Sequence, residues 1–93
     1  MRLRYIELFH AVMTTNSLTG AANLLNISQP AASKALQQAE HQLGFTLFHR
    51  VRGRLHPTEQ ALLLRPRVEK IIRDLHDLQR LTANFARPES EPL

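Results

Sequence analysis

In the stretch SQPAASKALQQAEHQLG, Ser28 to Gly44, a turn of roughly 100° per residue sorts Gln29, Pro30, Ser33, Lys34, Gln37 and His41 onto one side of a helix. These side chains suit a polyanion with readable edges. A Gln amide bonds an adenine edge through two hydrogen bonds, a Ser hydroxyl donates or accepts, and a Lys ammonium reaches guanine or phosphate. The face holds no acid, whereas a merely solvated helix face usually mixes Glu with Lys. Glu40 falls between this face and a dry one made of Ala32, Ala35, Leu36, Ala39 and Leu43.

A second group of the same chemistry follows. In FTLFHRVRGRLHPT, Arg50, Arg52 and Arg54 lie around Gly53, among the apolar residues Leu47, Phe48, Val51 and Leu55. That pattern predicts a small hairpin, a wing, with Arg52, Gly53 and Arg54 at its tip, placed to reach phosphate or a minor groove. The formal net charge of the 93 residues is +4, and the acids are concentrated late in the chain.

Other chemistries find little support. His10, His41, His49, His56 and His76 are dispersed and form no HxxxH pair; only His49 and His56 could meet, across the hairpin. There is no glycine-rich phosphate loop, and Glu7 and Glu40 have no evident substrate pocket between them, so the chain is expected not to be an enzyme and to need no metal or cofactor. The absence of cysteine excludes disulfides and thiolate metal sites. MRLRYIELFHAVM is too interrupted by charge for a signal peptide, and no run approaches a membrane span, so the expected location is the cytoplasm, away from any membrane.

The elements that must position these residues are legible from spacing. Leu3, Ile6, Phe9, Val12 and Met13 recur at helical intervals, Asn16 supplies a stop, and Ser17 caps a short helix, LTGAANLL. Asn26 suits the left-handed residue that ends it, Ile27 is expected to plug the core, and Ser28 caps the next helix with Pro30 in its first turn. Two helices joined by about three residues make a helix-turn-helix.

Thr58 then caps a long helix, with Glu59 in its first turn. Ala61, Leu64, Val68, Ile71, Leu75, Leu78, Thr82 and Phe85 alternate three- and four-residue steps, a heptad seam. A continuous helix of that length would measure about 40 Å, too long for one small core to cover. The part before Pro66 is expected to pack on the core, and Val68, Ile71, Leu75, Leu78, Thr82 and Phe85 to form a dimer contact, with a kink at Pro66. The final ARPESEPL lacks an apolar pattern and reads as a tail or linker to something beyond.

The ordered set of Phe9 and Val12, NSLTGAANLLNISQPAASKAL, Leu43–Gly44, LFHR at Leu47 to Arg50, and Pro57–Thr58 resembles the DNA-binding end of LysR-type transcriptional regulators. The likeness covers roughly residues 3 to 61. It implies a mainly α fold: a winged helix-turn-helix of three helices and a β-hairpin over residues 1–58, a linker and dimerisation helix over 59–86, and a flexible tail over 87–93. It also implies sequence-specific binding of double-stranded DNA and control of transcription. A dimer would set helix 28–43 into the major groove of an interrupted inverted repeat. By that resemblance Ser28, Gln29, Pro30, Ser33, Lys34, Gln37, Arg50, Arg52 and Arg54 face DNA. A full-length relative would pair as a dimer, or further as a tetramer, and would sense a small-molecule effector only through a C-terminal domain that this chain lacks. Two departures stand out: Ala39 precedes Glu40 where the family usually has Leu-Glu, and Pro57-Thr58 and then Gln60-Ala61 stand where it usually has Leu-Thr and then a glycine. The competing reading is a coiled-coil-like protein-interaction module whose basic surface is incidental.

Overall fold

Four helices and a two-stranded hairpin succeed one another: α1 (Leu3–Thr15), α2 (Leu18–Leu25), α3 (Gln29–Leu43), β1 (Phe48–Val51), β2 (Arg54–Pro57) and α4 (Glu59–Phe85). The structure, a computed structural model, describes residues 1–86; the tail reading of 87–93 lies outside them. The mainly helical winged helix-turn-helix with a long following helix is the architecture found.

The helix boundaries follow from local chemistry. Asn16 (φ 56°) and Asn26 (φ 58°) take the left-handed conformation that closes α1 and α2, a conformation that Asn tolerates better than other side-chain-bearing residues. The Ser17 hydroxyl accepts the Gly20 N–H at 2.7 Å to open α2, and the Ser28 hydroxyl accepts the Ala31 N–H at 3.2 Å to open α3. Gly20 is required by close approach: a Cβ there would stand 2.9 Å from the Thr15 Cβ.

Small residues let these three helices pack tightly. Ala21, Ala22, Ala32, Ala35 and Ala39 are buried against Leu8, Phe9 and Val12 of α1. Ile27 is not the expected core plug; it is 39% exposed, at the rim of a groove beside Leu8, Leu25 and Ala35. The alanines already bring α2 and α3 close enough that the crossing needs no further filler.

The inward stripe of α4 differs from the expected seam. Ala61, Val68 and Ile72 are buried in the chain's own core, whereas Ile71, Leu78, Thr82 and Phe85 are exposed. Val68, assigned above to a dimer contact, is only 6% exposed within one chain and offers a partner almost no surface. Leu75 is half-buried. The helix also runs unbroken through Pro66, and its packing on the core continues beyond it to Ile72. The reason is geometric: a straight α-helix has about 3.6 residues per turn and drifts about 20° per heptad away from a 3.5-residue repeat. Val68 and Ile72 therefore stay on the inner face while the heptad positions rotate outward.

Candidate nucleic-acid interface

The polar face of α3 stands in solvent as its sequence requires. Ser28, Gln29, Pro30, Lys34, Gln37 and His41 are exposed and Ser33 is half-buried, while Ala32, Ala35, Leu36 and Ala39 anchor the opposite side. With α3 held by four buried apolar residues, its outward side chains are presented on a rigid support. No acid interrupts the face before Glu40.

The basic loop is a hairpin. β1 and β2 pair antiparallel with Val51 opposite Arg54 and Arg50 opposite Leu55, leaving Arg52 and Gly53 as the two-residue turn. Both turn residues have positive φ, 53° and 77°, the signature of the type I′ turn whose twist matches the flanking strands. That turn ordinarily favours Asn-Gly, and an arginine in the left-handed region costs about 1–2 kcal/mol. A cation is thus held at the tip against its own backbone preference. Arg50, Arg52 and Arg54 are all exposed. His49 faces His56 across the ladder, both in solvent, and among the described residues no group of three His, Asp or Glu side chains could hold a metal.

Two contacts place the hairpin against the helices. The Phe9 and Phe48 rings lie 5.6 Å apart at 40°, seating β1 on α1. Glu40 Oε2 accepts the N–H groups of Leu47 (2.6 Å) and Phe48 (3.2 Å), joining α3 to the start of the wing. Thr58, the buried polar side chain among the described residues, donates to Thr46 O at 2.8 Å while its oxygen accepts the Ala61 N–H to cap α4.

Charge is distributed unevenly. Residues 1–58 hold Arg2, Arg4, Lys34, Arg50, Arg52 and Arg54 against only Glu7 and Glu40. Among the described residues the ion pairs, Arg65–Glu69, Lys70–Asp74 and Asp77–Arg80, all lie on α4. The winged part therefore carries the excess of positive charge. Sequence reasoning missed two contributors to this surface. Arg2 borders an open groove of about 470 Å³ with Gln37 and His41, beside the polar face, and nothing in the sequence signals that the start of α1 lies there. Glu40 ties down the wing; its position between two faces was the available signal.

Residues 3–62 match the family of bacterial regulatory helix-turn-helix proteins of the lysR type. The chain belongs to the LysR family. It is 51% identical over 89 residues to the HTH-type transcriptional regulator DgcR of Pseudoalteromonas sp., covering 96% of this chain and 31% of that protein. It is also 51% identical over 83 residues to the transcriptional activator protein LysR of Escherichia coli strain K12, covering 89% of this chain and 26% of that protein. The chain thus spans about a third or less of these curated relatives. Among solved structures, it resembles the BenM DNA-binding domain in complex with catB site 1 DNA, with a TM-score of 0.80 and 29% identity over 92% of this chain and 97% of that one. This LysR-type chain is a helix-turn-helix DNA-binding domain of transcriptional regulators. No helix among its described residues is long and apolar enough to cross a membrane.

Proposed function

We propose that this LysR-family chain reads double-stranded DNA as a dimer, with α3 in the major groove and the arginine wing on the adjacent backbone or minor groove. The observation that carries the reading is the acid-free exposed face of α3 beside a hairpin with arginines at its tip. Gln29, Pro30 and Ser33 address base edges, Lys34 and Gln37 bases or phosphate, and Ser28 the phosphate at the helix start. Arg50, Arg52 and Arg54 supply sequence-independent attraction.

Dimerisation is assigned to the exposed apolar side of α4, Leu63, Ile71, Leu78, Leu81 and Phe85. Two identical readers related by a two-fold axis call for an interrupted inverted repeat. Transcription is controlled by occupancy of such sites, and any response to an effector belongs to a further domain of a longer protein.

The test is selection of duplexes from a random pool, followed by titration of the enriched and a scrambled duplex at several salt concentrations. An enriched inverted repeat bound more tightly than the scramble supports the reading; equal binding of both would move weight to a protein-interaction module. Two substitutions separate the roles. Gln29→Ala is expected to narrow the gap between enriched and scrambled DNA by about 1–3 kcal/mol with nonspecific affinity retained. Equal loss on both duplexes would contradict base reading. Arg52→Asn, a residue better suited to the turn, is expected to leave the fold as stable or more so while weakening all duplexes and lowering the salt slope by about one. An unchanged slope would remove Arg52 from the phosphate contacts.

A further inference from the structure

We infer that Glu40 is a positioning residue for DNA binding: its carboxylate hangs the wing from the recognition helix and sets where the arginine tip meets the duplex. The inference rests on the DNA-reading function proposed above. Its basis is the peptide of Leu47, where three elements meet. The Leu47 N–H donates to Glu40 Oε2 at 2.6 Å, and the next N–H, of Phe48, donates to the same oxygen at 3.2 Å. The Leu47 carbonyl accepts the Thr58 N–H at 2.9 Å, and the Thr58 hydroxyl donates to the adjoining Thr46 carbonyl at 2.8 Å. One side of the wing's root is thereby fastened to α3 and the other to the residue that caps α4.

The geometry makes this joint matter at a distance. β1 has four residues, so the tip stands about 13 Å from the root at about 3.3 Å per residue, and about 20° of slack there would move the tip by roughly 5 Å. That displacement exceeds a hydrogen bond, so a loosened root would cost the arginines their phosphates while α3 kept its own contacts. Glu40 is half-buried, beside the face assigned to DNA. Its charge alone opposes DNA binding, so removing it should strengthen binding if charge were its only effect. A side chain that keeps the charge but shortens the reach separates the two effects: charge alone predicts unchanged binding, positioning predicts weaker binding.

The experiment uses the full chain and the duplex enriched by the wild type, with Glu40→Gln and Glu40→Asp measured alone and combined with Arg52→Asn. Gln keeps an acceptor oxygen at the same reach, so Glu40→Gln should bind as the wild type or slightly better. Asp keeps the charge but is one methylene too short, so Glu40→Asp should bind roughly ten-fold more weakly, with a salt slope lower by about one. In the Glu40→Asp background, Arg52→Asn should then add little further loss. Glu40→Asp binding with the wild-type slope, and with the full Arg52→Asn effect still present, would overturn the inference. So would loss of helical circular dichroism in Glu40→Asp, because a positioning residue leaves the three-helix core standing. Failure of the wild type to enrich or bind DNA would instead sink the underlying function, and is visible before any Glu40 variant is made.

Discussion

Leu78→Asp is expected to convert the proposed dimer to a monomer and to lower affinity for the proposed inverted repeat by about 10²–10⁴, the advantage that linking two binding events ordinarily confers. Leu78 is 57% exposed and lies beyond Ile72, where the buried stripe of α4 ends. The substitution therefore leaves the chain's own core untouched. In a dimer the same carboxylate would be buried against apolar side chains of the second copy, with no partner charge to offset its lost hydration. The local helix cost is small: Asp74 sits four residues earlier, and a like-charge pair at that spacing costs about 0.2–0.5 kcal/mol. Sedimentation should give the monomer mass, circular dichroism should be unchanged, and binding to a single half-site should persist. A wild-type sedimentation coefficient would show that this face of α4 is not the interface. Val68→Asp would be a poor choice for the same purpose, because Val68 is buried within one chain and its replacement would unfold the domain instead.

Phe9→Ala is expected to cost about 3–5 kcal/mol of folding stability, the usual range for removing a buried phenyl group. Phe9 is 1% exposed and its ring meets Phe48 across the junction of α1 with the wing. Deleting it removes apolar contact and leaves a cavity that the rigid crossing of alanine-rich helices cannot close. For a domain of this size the melting temperature should fall by on the order of 20 °C, read by calorimetry or by far-ultraviolet circular dichroism. Because Phe48 is in the first strand of the wing, the residual folded population should also show a flatter salt dependence of DNA binding, as a looser wing contributes less to the phosphate contacts. A melting temperature within a few degrees of the wild type would mean that the domain repacks around the void, contrary to the close packing described for its core.

The two faces of α3 were readable because helical periodicity and capping are local. Ser17, Ser28 and Thr58 each accept the N–H three residues ahead, as their positions before apolar-periodic stretches indicate. The hairpin was readable from Gly53 between basic and apolar residues, although the left-handed arginine at its first turn position carries no propensity signal. The division of α4 was not readable. A heptad pattern and a straight-helix pattern share Ala61 and Val68 and part company at Ile71 and Ile72, where two adjacent isoleucines make the sequence ambiguous. Only the packing of α4 on the core, as a helix of about 3.6 residues per turn, decides which isoleucine turns inward. Glu40 was placed between the faces, yet its partners lie seven and eight residues on, beyond the turn at Gly44.

By itself the amino-acid order determined where each helix begins and ends, which side of α3 is dry and which is polar, and that basic residues gather at one hairpin, because all of these rest on contacts within a few residues. The tertiary structure alone decided which stripe of α4 is spent on the core, which apolar side chains remain outside, and how the wing is fastened to the recognition helix. Those outcomes depend on packing between elements distant along the chain, where a rotation of a fraction of a helical turn exchanges a buried side chain for an exposed one.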